Sequence, residues 1–215
     1  MNKNPSRRKL IFECALIFGA IPLAIALAKP HGWIYFALWI AAALSYHTLR
    51  KHYDYRFRTD WNFAALNRAV LAPMLTRFVP CALALFFFIA WMIPDHLFSL
   101  PRDRPGVWVM VMILYPLLSV VPQEIIFRSF FLKRYTTVFS SRALAIASAL
   151  AFGWVHIVLL NWVAVVFSAV GGYFFADTYS KTKSLACACF EHALYGCYLF
   201  TLGLGYYFYH GQAVH

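Results

Sequence analysis

Seven stretches of this 215-residue sequence are apolar enough to be candidate membrane spans, and nearly all of its lysines and arginines lie outside them. They run over residues 10–28, 33–49, 78–93, 107–132, 143–160, 162–176 and 185–207. A helix needs about 20 residues to span the hydrocarbon core. The rest of the composition leaves no other way to fold: 62% of residues are hydrophobic and 13% charged, whereas a soluble domain carries about 25% charged residues. Such a chain cannot cover itself with a wettable surface. The expected class is therefore all-α, a polytopic transmembrane helix bundle of about seven spans. The first run follows Arg7, Arg8 and Lys9 and resembles a secretory signal. It is long enough to span, and six further runs follow it, so an uncleaved first helix is expected.

The formal net charge of +11 reflects clusters between the apolar runs. No basic stripe with interleaved aromatics is available to track a phosphate backbone, so nucleic acid is not an expected partner. The clusters instead give a topology. With the N-terminus cytoplasmic, sixteen of the 19 basic residues fall on cytoplasmic segments, and only Lys29, Arg102 and Arg104 fall outside. The expected orientation is N-terminus in and C-terminus out. The stretch 50–77 mixes basic residues with Tyr53, Tyr55, Phe57, Trp61 and Phe63 and reads as an amphipathic segment in the headgroup region. The division expected is membrane helices with this segment over 1–106, then a core over 107–215. Five cysteines lie within apolar runs without a CxxC pair and read as free thiols. Basic clustering and unpaired thiols together fit a bacterial inner membrane.

Ionisable side chains inside spans are costly, and each one is a candidate for function. Glu13, Arg77 and His47 lie near span ends, where snorkelling accounts for them. Glu124, Arg128, His156, Glu191 and His192 do not have that explanation. Counting 1.5 Å per residue, Glu124 lies roughly 14 Å inside the membrane, His156 roughly 20 Å and His192 roughly 10 Å, all from the cytoplasmic side. These layers are compatible with one site in a cavity open towards the cytoplasm. Glu124 and Arg128 are four residues apart and share a face, so the arginine can pair with the carboxylate. Glu191 points about 100° away from His192 and serves another neighbour. A carboxylate with two imidazoles in a low-dielectric pocket suits activation of a water molecule. The same set could bind zinc, but it lacks a compact ligand spacing such as HExxH, and the expectation is no cofactor.

The residues around these positions are Gln123-Glu124-Ile125-Ile126-Phe127-Arg128, Phe152-Gly153-Trp154-Val155-His156 and His192-Ala193-Leu194-Tyr195-Gly196. In order, spacing and placement they resemble the motifs of the CAAX protease and bacteriocin-processing (CPBP or Abi) family of intramembrane proteases. Those motifs are Glu-Glu-x-x-x-Arg, Phe-x-x-x-His and His-x-x-x-Asn. The resemblance implies a glutamic-type intramembrane endopeptidase acting on a membrane-associated protein or peptide, with Glu124, His156, His192, Arg128 and Gln123 as site residues. Two positions depart from the pattern. Gln123 stands where the family has its first glutamate, and Gly196 where it has an asparagine that helps form the oxyanion site. Glu124 would then take the base role, with Gln123 as a hydrogen-bond donor. The alternatives are a non-catalytic relative that binds a membrane peptide, as in immunity, and a proton-coupled transporter. The absence of half-chain symmetry counts against the last.

Overall fold

The computed structural model describes residues 5–28 and 33–208. Lys3, Lys29 and residues 211–215, which entered the charge count or the expected outer terminus, lie outside the described residues. Within the described residues there are nine helices and no strand. They are α1 (Arg7–Leu27), α2 (Ile34–His52), α3 (Phe57–Trp61), α4 (Arg68–Met92), α5 (Ser99–Asp103), α6 (Pro105–Arg134), α7 (Ser141–Leu159), α8 (Trp162–Thr182) and α9 (Leu185–Leu202). Five of them, α1, α4, α6, α7 and α9, are long and apolar enough to cross a membrane, and the chain is an integral membrane protein. The other two apolar runs also fold as helices, α2 and α8, of 19 and 21 residues. They are less apolar because α2 closes on Arg50, Lys51 and His52 and α8 carries Asp177 and Lys181 near its end.

Side-chain caps set several boundaries by satisfying helix-start N–H groups. The Asn67 side chain accepts from the Ala69 N–H at the start of α4. Asn161 accepts from Ala164 at the start of α8, and Ser184 from Cys187 at the start of α9. The 161 junction is a tight hairpin. Leu160 turns into the left-handed region, and Asn161 ties the turn to the Tyr207 carbonyl. Its two helices run antiparallel, with Gly153 of α7 against Val165 and Ala169 of α8 and Gly172 against Ala149. A Cβ on Gly153 would stand 2.6 Å from the Ala169 Cβ, so the closest approach of these helices requires a glycine. Small residues at such a crossing are what lets membrane helices gain packing energy, since lipid offers no hydrophobic drive between them.

Helix α9 is the centre of the bundle. Ten of its residues are buried, among them Cys187, Glu191, His192 and Gly196. Peripheral faces stay apolar and exposed, as at Phe36, Leu44, Phe87, Trp91, Leu117 and Leu150, which suits contact with lipid and would be an aggregation surface in water. Helix α6 runs through Pro116 and Pro122 without a break. It takes up its strain in two widened, π-type turns over Pro116–Val120 and Ile125–Phe130, a local form often found at functional sites.

The segment between α2 and α4 is docked on the bundle rather than merely lying in headgroups. Phe57 and Phe63 are exposed, but Tyr55 and Asp60 are buried, and the Asp60 carboxylate accepts hydrogen bonds from the hydroxyls of Tyr55, Ser129 and Tyr179. Burial, then the Asp60 charge, pushes the Tyr55 phenol above its ordinary range and keeps it a donor. Ser184 donates to the Trp61 and Asn62 carbonyls from the start of α9. At the same end of the bundle, Glu13 accepts two bonds from Arg134, at 2.9 and 2.7 Å, and one from Tyr135. Glu13 is therefore an inter-helix partner and does not snorkel.

Candidate active site

Arg128, Glu124 and His192 form one connected chain across α6 and α9. The widened turn at residues 125–130 keeps Arg128 over Glu124. Its Nε lies 3.0 Å from Glu124 Oε2, an ion pair by distance whose N–H is poorly aligned, and a second nitrogen reaches Oε1 at 3.5 Å. Arg128 also donates to Ser148 of α7 at 2.8 Å, and Ser148 donates onward to the Phe127 carbonyl. The guanidinium lies 5.1 Å from the Phe152 ring centroid and 5.8 Å from that of Phe175, an attraction of the cation to the ring faces. Both Arg128 and Glu124 are completely buried. A buried pair of this kind persists only with near-complete partnering.

The other Glu124 oxygen, Oε1, meets His192 Nδ1 at 2.9 Å. The imidazole stacks on Phe175 at 4.6 Å and 14° and stands edge-on to Phe152 at 5.3 Å. Its Nε2 lies 3.1 Å from the Tyr115 hydroxyl. Because a carboxylate only accepts, Nδ1 carries a proton, and in the neutral ring Nε2 accepts from Tyr115. His156 is fixed in the same way by different means. Its Nδ1 lies 2.7 Å from the Phe152 carbonyl, which can only accept, so the neutral ring keeps its free lone pair on Nε2. The ring rests on Phe152 at 4.9 Å, so one phenyl ring supports both imidazoles.

His156, His192 and Tyr115 line a cavity of about 550 Å³ whose other walls are mostly aromatic and aliphatic. Glu124, Arg128 and Gln123 do not line it. The expected co-assembly of Glu124 with His192 is direct contact, and the expected sharing of one cavity is between the two histidines. Gln123 is separate: its amide nitrogen donates to Ser119 at 2.8 Å, and its amide oxygen is buried without a partner. The cavity rim includes the exposed Cys81, Phe88, Phe167 and Val170. Its exposed lining thus lies on α4 and α8. Cys81 is also the one exposed thiol among five otherwise wholly or partly buried.

A charged cluster lies behind the cavity-lining Phe174. Arg77 pairs with the fully buried Glu191, lies 3.3 Å from Asp177, donates to Thr178 and covers the Phe174 ring. Thr178 donates to the second Glu191 oxygen at 2.6 Å. Glu191 does serve a neighbour other than the His192 site, and that neighbour is Arg77, which turns inward instead of snorkelling. Sequence reasoning missed Tyr115, Ser148 and Phe175. No spacing singles out Tyr115 among thirteen tyrosines; the one available hint was the missing side chain at Gly196. Among the described residues no group of three or more His, Cys, Asp or Glu side chains is placed to hold a metal ion.

Residues 105–198, from the start of α6 to near the end of α9, match the family model described as type II CAAX prenyl endopeptidase Rce1-like. This is the CPBP/Abi family that the three motifs resemble. The match covers a little under half of the chain. No curated protein and no solved structure matches it.

Proposed function

We propose that this chain, with its Rce1-like core, is an intramembrane endopeptidase whose cavity admits a membrane-embedded peptide and hydrolyses it between His156 and His192. One observation carries the reading: two imidazoles, each with its proton held on Nδ1, line one mostly apolar cavity, and the Nε2 of His156 is left free. His156 Nε2 is the free basic atom and takes the proton of the attacking water. Arg128 pairs with Glu124, and Glu124 accepts from His192 Nδ1, so that the His192 side of the cavity faces the carbonyl oxygen as charge develops there. Glu124 in this reading acts through the imidazole, as a buried carboxylate acts on the histidine of a hydrolase triad. Gln123, bonded to Ser119, supports the α6 turn and does not meet substrate.

The experiment is turnover by the purified protein in phosphatidylethanolamine–phosphatidylglycerol liposomes, against a library of internally quenched membrane-embedded peptides. Cleavage is expected, and His156→Ala should lower it by about 10²–10⁴-fold, the range for removing a general base. A His156→Ala variant as fast as wild type would sink the assignment. The second reading, a binder that does not cut, is favoured by Gln123 standing where the family's first carboxylate stands. It predicts peptide binding without turnover, unchanged in His156→Ala.

The proposed orientation places the N-terminus and the 53–67 segment in the cytoplasm and the C-terminus outside, on the lopsided distribution of basic residues. A C-terminal reporter that works only in the cytoplasm should be silent, and a periplasmic one active. The opposite pattern would remove one crossing, with the α7–α8 hairpin the first to revise.

A further inference from the structure

We propose that Tyr115 is a catalytic residue of this site, its hydroxyl donating a hydrogen bond to the scissile carbonyl oxygen from the space that the missing side chain of Gly196 leaves open. The proposal deepens the endopeptidase reading and rests on it.

The space is unusual. A Cβ built on Gly196 would meet the Tyr115 hydroxyl oxygen at 2.2 Å and the ring carbons Cε1 and Cζ at 2.4 and 2.5 Å. The tyrosine therefore occupies the volume in which any side chain at 196 would lie. Only a glycine in α9 lets α6 deliver a phenol there. The hydroxyl is held at that point by His192 Nε2 at 3.1 Å, and the ring packs edge-on to His192 and to Phe200, at 6.1 and 5.2 Å. Tyr115 also lines the cavity, so a polar hydrogen sits at the wall of a chamber that otherwise offers few donors. With Glu124 on Nδ1 and Tyr115 on Nε2, both His192 nitrogens are engaged. Whatever His192 contributes to substrate passes through the tyrosine.

The chemistry balances without an added reagent. Water gives a proton to His156 Nε2 while its oxygen bonds to the carbonyl carbon, and the C=O π pair moves onto the carbonyl oxygen. His192 keeps its Nδ1–H on Glu124 throughout. The phenolic hydrogen, which rests on His192 Nε2, turns towards the new oxyanion as charge develops there. Collapse re-forms C=O, breaks the C–N bond and returns the His156 proton to the leaving nitrogen. No proton leaves Tyr115 or His192 in the cycle. Donors of this kind act on the charge of the transition state and not on the bound peptide.

The test uses the liposome assay and a peptide phosphinate, whose tetrahedral anionic centre stands in for the oxyanion. Tyr115→Phe should lower kcat by about 10²–10³-fold, the loss for one oxyanion donor, with KM unchanged. Phosphinate binding should fall by a similar factor while the parent peptide binds as before. A merely structural role would move both ligands together. Because the helix crossing could suffer in other variants, the rescue is read in Tyr115→Ala combined with Gly196→Asn, where an amide N–H enters the vacated volume. That double variant should exceed Tyr115→Ala alone by at least tenfold, on the same scale. Tyr115→Phe equal to an active wild type in both kcat and phosphinate binding overturns the proposal and leaves the endopeptidase standing. A wild type with no turnover on any peptide of the library overturns the endopeptidase reading and this proposal with it.

Discussion

Glu124→Gln is expected to lower cleavage by about 10³–10⁴-fold, the loss seen when the carboxylate behind a catalytic imidazole becomes an amide. The reason lies in proton bookkeeping at His192. The carboxylate at 2.9 Å accepts from Nδ1; an amide can present its NH₂ there instead and stabilise the tautomer with the proton on Nε2. The same change strands Arg128, completely buried, with Ser148, the Phe127 carbonyl and two ring faces as remaining partners. Loss of one partner of a buried pair costs about 3–5 kcal/mol, so stability must be measured alongside rate. Initial rates on the liposome peptides, normalised to the folded fraction from a thermal melt in detergent, separate the two effects. Normalised rates within tenfold of wild type would show that Glu124 has no part in the reaction. Glu124→Ala should be inactive as well and less stable than the glutamine variant, since it also leaves a void beside Arg128.

The second large effect is structural. Arg77→Met should destabilise the bundle by about 3–5 kcal/mol, because it leaves the Glu191 carboxylate buried with only Thr178 to bond it. Asp177 suffers less, as it keeps Lys181 at 2.7 Å and is partly exposed. The double replacement Arg77→Met with Glu191→Leu removes both charges together and should recover most of the loss, since well-packed apolar residues replace buried ion pairs at little cost. Denaturant unfolding in mixed micelles, read as a double-mutant cycle, checks this. Equal stability of Arg77→Met and wild type would mean that Glu191 is solvated or protonated in place.

The legible part of this protein is the part encoded along one helix at a time. Apolar run length located α1, α2, α4, α6, α7, α8 and α9, and the four-residue spacing put Arg128 on the face of Glu124. Depth counting brought His192 to the layer of Glu124, and the two are hydrogen-bonded. What escaped depends on which faces meet. Glu191 and Arg77 are 114 positions apart, and neither periodicity nor composition pairs them. Arg77 near a span end looked like a snorkelling cation because that is the usual fate of such a residue. Asp60 was one acid in a basic stretch, and only the assembled bundle shows three hydroxyls converging on it. Gln123 and Glu124 are neighbours in sequence and about 100° apart on a helix. A motif read as a string therefore could not show that Gln123 bonds Ser119 away from the cavity wall while Glu124 faces His192.

The placement of Arg77 bears on how anything reaches the cavity from the side. Helix α4 forms one wall and is the least embedded of the apolar helices, with 11% of its apolar window buried against 56% for α9. It is fastened by the Ile89 contact with Leu202 and Leu204, the Tyr198 hydroxyl on the Ala82 carbonyl, and Arg77 on Glu191. Lipid tails are as apolar as the side chains they would replace, so peeling hydrocarbon from hydrocarbon along this wall takes little work. Pulling a guanidinium from a carboxylate in the same surroundings takes a great deal. The resistance to separating α4 from α9 is thus concentrated in an electrostatic latch at one end of a greasy seam.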